Sequence, residues 1–177
     1  MSDTKTYAEF YLYGLMENFA RPEEVIAWAD SVIVRDAHPE SEIIDLSVCR
    51  ASDIHEVMRC LGAVRGAVDH AKHFELLLAF YWKRYLEKND LARAVGDLWH
   101  LSYHKAATQD FIGDAAAVDE MADYVFERMK TERDLRDLVE AVFRKHGKPN
   151  KAPEPTSGTV TPPAEPGGAP VPPVAHL

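Results

Sequence analysis

The sequence predicts an all-α fold: a bundle or array of antiparallel helical hairpins, about eight helices in all, followed by a disordered C-terminal tail. Three observations lead there. Apolar residues within 1–147 recur three or four positions apart, the spacing of one helix face. No run of alternating β-branched residues and no Asn-Gly or Asp-Gly turn signals a hairpin of strands. Only Pro22 and Pro39 of the 11 prolines fall in this stretch, each where a helix can begin without losing an intrahelical bond.

The first helix spans 4–19 and carries Tyr7, Phe10, Tyr11, Tyr13, Leu15 and Phe19 around its circumference. Those rings either pack into the core or stand exposed as interface anchors. The next, 22–34, has Glu23 and Glu24 in its first turn, where carboxylates suit the positive end of the helix dipole. A short piece follows Pro39 with Ile43, Ile44, Leu46 and Val48. Asp53 and Glu56 read as a capping box for 54–65. The helix over 67–88 is apolar on nearly every side, so it belongs in the middle. Helices over 90–105, 114–130 and 134–146 complete the set, and Gly147 supplies the last stop. Short connections place consecutive helices side by side.

Residues 1–147 thus form one helical domain, in keeping with the usual ~100–200 residues per domain. Composition changes at 148–177, which hold nine of the 11 prolines and no Phe, Trp or Tyr. Too little apolar surface is available there to offset the entropy of ordering, so a solvated, polyproline-like coil is expected. It is either an inert extension or a ligand for a proline-recognising groove. Its string APEPTSGTVTPPAE resembles tails attached to many otherwise unrelated bacterial reading frames.

The net charge of −9 disfavours nucleic acid, whose binding requires cations that displace condensed counterions. It disfavours anionic membrane surfaces as well. No run of ~18 apolar residues exists to span a bilayer, and the start lacks a secretory signal, so a cytoplasmic location is expected. Cys49 and Cys60 form no C-x-x-C pair and read as reduced packing residues in apolar surroundings. No cofactor is called for.

Two short strings have the spacing of metal ligands. DLWHLSYH places Asp97, His100 and His104 at helical intervals, and DHAKH does the same for Asp69, His70 and His73. On a wheel of about 100° per residue, Leu91, Val95, Leu98 and Trp99 face inward, with Asp97, His100 and His104 on the solvated side beside Arg93. A zinc site needs four ligands, or three with a protected open position. Either the histidines at 70, 73, 100 and 104 converge with Asp97 on a metal, or they are surface residues with a local Asp69–His73 contact.

Catalytic motifs are missing. LGAVRGAVDH has Gly62 and Gly66 but none of the other features of a phosphate loop. No G-x-S-x-G turn occurs, Ser47 and Cys49 have no identifiable base, and Glu23 and Glu24 are adjacent and point apart. The distribution of acid is more informative. Asp119, Glu120, Asp123 and Glu127 share a helix face opposite Val118, Met121, Ala122, Val125 and Met129, with Asp110 and Asp114 preceding that helix. Asp36, Glu40, Glu42 and Asp45 surround Pro39. Each group is either a solvated face or a docking surface for a basic protein, where charge accelerates encounter.

The strings YLYGLMENFARPEEVIAWADSVI, SEIIDLSVC and LLLAFYWKRYLEKNDLARAVGDLWHL resemble small all-helical bacterial proteins of the toxin-immunity kind. The resemblance covers much of 7–105 and implies an acidic protein that binds a cognate toxin and occludes its active surface. It assigns no residue roles. The leading expectation is therefore a protein-binding module, working by recognition and not by catalysis. A helical metal-binding protein or metalloenzyme, and a regulatory or scaffold protein with another partner, are the alternatives.

Overall fold

The computed structural model describes residues 3–147. They form eight α-helices: α1 Thr4–Met16, α2 Pro22–Arg35, α3 Ser41–Ser47, α4 Ile54–Ala63, α5 His70–Lys88, α6 Leu91–Ser102, α7 Gln109–Phe126 and α8 Glu132–His146. No strand occurs among the described residues. The expected all-α architecture is therefore the fold. The coil expected over 148–177 lies outside the described residues.

Local chemistry sets most helix starts. A side-chain oxygen takes an otherwise unpartnered first-turn N–H at five of them. Asp53 accepts from Glu56 at 3.1 Å, Asp69 from Lys72 at 3.0 Å and Asp90 from Arg93 at 2.9 Å. Thr108 accepts from Phe111 at 3.1 Å and Thr131 from Asp134 at 3.2 Å. Only half of the box expected at Asp53 forms, because the Glu56 carboxylate turns to Arg59. Thr108 starts α7 five residues earlier than expected, so Asp110 and Asp114 lie within that helix and not before it.

Of the helices that end earlier than expected, α1 and α7 do so for one reason. Asn18 (φ 57°) and Arg128 (φ 61°) take the left-handed conformation. The N–H groups of Phe19 and Met129 then reach back to the carbonyls of Gly14 and Tyr124, each at 2.8 Å. These six-to-one bonds satisfy carbonyls that a helix end leaves open. Met129, expected in the core, is consequently beyond α7 and 59% exposed.

The buried side chains form two clusters. One gathers Leu15, Val25, Trp28, Ile43, Leu46, Val57 and Leu61 from α1–α4. The other gathers Leu78, Tyr81, Leu98, Phe111, Val118, Val139 and Phe143 from α5–α8. Consecutive helices pack on each other, with one exception: α4 and α5 do not touch. Instead α1 packs on both, and among the described residues its backbone packing on α5 is the main join between the two groups.

That junction uses the aromatic rings of the first helix. Tyr7 and Tyr11 face the first cluster, while Phe10, Tyr13 and the following Phe19 face the second. Phe19 stacks on Phe80 of α5 with centroids 4.0 Å apart, and the Tyr13 and Tyr81 hydroxyls meet at 3.2 Å. Buried Thr6 accepts the Asp69 N–H at 2.9 Å, tying the start of α5 to α1. Gly66, at φ 115°, turns the connecting loop close over Lys5. The long helix α5 packs against α1, α6 and α8, with Leu76, Leu77, Leu78, Tyr81 and Tyr85 buried, although Leu86 is exposed.

Gly14 makes the Phe19 position possible. A Cβ there would stand 2.7 Å from the Phe19 ring and 2.8 Å from the Ala20 methyl. Gly14→Ala gains about 1 kcal/mol of helix propensity but overpacks a contact worth about 1–3 kcal/mol when strained. Urea unfolding should show a net loss of up to about 2 kcal/mol. A midpoint raised by the full propensity gain would mean that the ring moves aside without cost.

Candidate functional site

The packing of α5 on α6 brings some of the expected metal ligands together and separates the rest. His104 lies in the turn just past α6, where the 100° wheel no longer applies, and it is half-buried and not outward-facing. Its Nε2 is 3.0 Å from Nδ1 of His73. The Ala106 N–H donates to His104 Nδ1 at 3.1 Å. An acceptor at Nδ1 puts the His104 proton on Nε2, which therefore donates to His73. His73 in turn carries its proton on Nε2, a buried atom with no partner among the described residues.

Both rings are held neutral. Burial pushes His73 below the usual imidazole value, and burial with the neighbouring His73 and His70 takes His104 down to about 4. Exposed His70 stands beside His104, ring centroids 6.2 Å apart, at the rim of a cleft of about 260 Å³ that Glu9 also lines. Asp69 does not pair with the His73 ring, because its carboxylate caps α5.

Asp97 and His100 are elsewhere. Asp97 is buried, 6% exposed, where the wheel had placed it in water. It receives a hydrogen bond from Arg84 of α5 and lies 3.4 Å from Arg93. Arg84 also stands over the Tyr81 ring, 4.8 Å from its centroid. Burial holds the Asp97 carboxyl above its usual range, against the pull of both arginines. His100 is exposed and meets the edge of Tyr13 at 6.1 Å. Trp99, expected inward, is 41% exposed and packs edge-on against Tyr103. His70, His73, Asp97, His100 and His104 thus occupy three separate places.

The acidic residues divide in a similar way. Asp110 and Asp114 hold Lys145 at 2.9 and 2.7 Å, and Asp114 also meets Nε2 of His146 at 2.6 Å. Those bonds, Lys145 first, keep the Asp114 carboxyl below its usual range, so this pair clasps α7 to α8. Near Pro39, Asp36 accepts the His38 N–H, and Glu42 takes the Ser41 hydroxyl and Arg65. Glu40 precedes α3 with one buried carboxylate oxygen lacking a hydrogen-bond partner among the described residues. Asp45 lines an open cleft of about 510 Å³. On α7, Glu120 accepts the Tyr124 hydroxyl at 2.6 Å. Asp119, Asp123 and Glu127 form no ion pair among the described residues.

Two groupings went unforeseen. His146, Asp110 and Asp114 cluster because α7 begins at Gln109. Cys49 and Cys60, read as packing residues in apolar surroundings, lie with their Sγ atoms 3.6 Å apart. Cys49 borders the charged cleft with Arg50, Asp53, Glu56 and Arg59. Burial and the neighbouring Cys49 push the Cys60 thiol up to about 11. The one sequence signal was the Glu56–Cys60 spacing of four, which puts both on one face of α4.

No family model matches the chain, and comparison with curated proteins and with solved structures gave no match either.

The histidine pair has a pH consequence. Unfolded imidazoles take protons near pH ~6.5, whereas folded His73 and His104 resist them. The unfolded chain therefore binds more protons as pH falls below that value, and stability is lost down to about 4, where His104 protonates in place. The stability difference between this protein and His104→Gln should be constant above neutral pH and shrink through that window. Parallel thermal-unfolding curves at all pH values would refute the assignment.

The buried ion pair has a stability consequence. Arg84→Ala leaves Asp97 enclosed without its main partner and should cost about 3–5 kcal/mol in chemical unfolding. The double variant Arg84→Met, Asp97→Leu should recover most of that loss. A loss below about 1 kcal/mol for Arg84→Ala would identify the pair as a solvated one.

Proposed function

We propose that this chain is a protein-recognition module whose docking surface is the C-terminal half of α7 and whose partner is a basic protein. The observation that carries the reading is Phe126, 88% exposed, beside carboxylates that form no ion pair among the described residues. Asp119, Asp123 and Phe126 follow one another at four and three residues, so they share a face. Glu127 borders them, and Met129 adds a second apolar side chain, 59% exposed.

An aromatic anchor beside unpaired carboxylates suits a basic partner for two reasons. Carboxylates steer a cationic surface toward the face and raise the encounter rate. The ring then supplies most of the short-range energy once water is excluded around it. The toxin-immunity resemblance fits this geometry: an acidic helix end would cover the basic active surface of a toxin without any chemistry of its own.

The test is co-expression with a basic toxin encoded beside this chain, scored by cell survival and by the Kd of the purified pair. Phe126→Ala should weaken binding by about thirtyfold, as expected for a hot spot of about 2 kcal/mol. Asp123→Lys with Glu127→Lys should slow association and flatten its salt dependence. Cells that die equally fast with and without this protein would refute the immunity role. Binding unaffected by all three substitutions would refute the surface.

A further inference from the structure

We propose that Cys49, Glu56 and Cys60 bind a thiophilic divalent cation of the zinc class, with a fourth coordination position open to the neighbouring cleft. The site lies on α3–α4, apart from the α7 surface, and does not depend on the protein-recognition reading. The chain has two cysteines in 177 residues, and the fold brings both to one place. Their sulfurs and a Glu56 carboxylate oxygen all lie within 4.8 Å of one another.

The spacing discriminates between chemistries. Two thiolates on a tetrahedral zinc, each about 2.3 Å from the ion, stand about 3.8 Å apart. The observed separation is 3.6 Å. A disulfide would require closing to about 2.0 Å, and a linear two-coordinate ion would spread the sulfurs to twice the metal–sulfur length. Glu56 Oε1 is 4.0 Å from the Cys60 sulfur, so the carboxylate has to close by a few tenths of an ångström to the ~3.5–3.7 Å of a carboxylate and a thiolate on one tetrahedral ion. Two sulfur ligands disfavour magnesium and calcium, which take oxygen.

The scaffold and the charge also fit. Glu56 and Cys60 are one turn apart on α4, whose start Asp53 caps. Cys49 follows α3, with its sulfur 3.3 Å from the Asp45 carbonyl. Two thiolates and a carboxylate carry three negative charges, a divalent ion leaves one, and the Arg59 guanidinium balances it. Arg59 grips both Glu56 oxygens, at 2.8 and 2.6 Å, and lies 3.5 Å from the Cys60 sulfur. Metal binding takes Oε1 and leaves the Arg59 bond to Oε2, the kind of outer contact that orients a ligand. Each thiol loses its proton to solvent as its sulfur–metal bond forms, so binding releases two protons and strengthens as pH rises.

The full chain, kept reduced and metal-free, is titrated with cobalt(II) and then with zinc(II). A sulfur-to-cobalt charge-transfer band with strong tetrahedral visible absorption should saturate at a single equivalent and vanish on adding zinc. Cys60 is buried and its replacement can disturb the fold, so the decisive variant is Cys49→Ser, at a half-buried position. It should keep the helical circular dichroism, lose much of the charge-transfer band and bind at least about tenfold more weakly. Glu56→Gln should weaken binding by about 10–100-fold with the band retained. Absence of the band at a single equivalent, with both thiols titrating as free, overturns the proposal. So does a band that Cys49→Ser leaves unchanged.

Discussion

The contact of α1 with α5 is the constraint on which the rest of the architecture rests. The chain builds α1–α4 around one apolar cluster and α5–α8 around another, and α4 does not touch α5. A helix that feeds both clusters has to be apolar on more than one side, and the aromatic residues of α1 meet that demand. Ring pairs such as Phe19 on Phe80 add about 0.5–1.5 kcal/mol each beyond the area they bury. The Thr6 and Asp69 contact fixes the same junction in register, since Asp69 also caps α5. One helix thereby sets where the second half begins and how it sits on the first.

Polar groups follow from that packing. Once α5 lies on α6, Arg84 and Asp97 are enclosed together, and the His73–His104 pair closes the far end of the same interface. Each arrangement is satisfied in one protonation state only. Charged Asp97 needs its arginine, and the imidazoles need to stay neutral so that one N–H can serve as donor to the other. Those partners on other elements explain why the five residues at ligand-like spacing do not gather at one place.

Helix identities were legible in the sequence because their signals are local. Pro22, Asp53, Asp90 and the period of the apolar residues each act within a turn. Helix ends were less so: Asn18 and Arg128 stop their helices by entering a left-handed conformation that an asparagine permits and an arginine seldom adopts. Facing errors came from partners on other helices. Nothing in residues 90–105 reveals that Arg84 waits for Asp97, and nothing near Cys49 announces Cys60, because the α3–α4 turn makes that approach. Asp110 and Asp114 fall inside α7 because that helix starts at Gln109, five residues before the apolar period suggests. Thr108 was the available clue.

The remaining acid has its own physical logic. Helix α8 has Glu132 and Asp134 in its first turn and Arg144, Lys145 and His146 in its last, as its dipole favours. The basic end of α8 reaches the beginning of α7, where Asp110 and Asp114 receive it. At the far end of α7, Asp123 and Glu127 form no ion pair with α8 among the described residues. Asp123 and Glu127 stand there at the negative end of their own helix dipole, each disfavoured by about 0.3–1 kcal/mol. A cationic surface laid over that end would relieve both the mutual repulsion and the dipole, while covering Phe126. The placement that weakens the isolated helix is thus the one that would strengthen a complex with a basic partner.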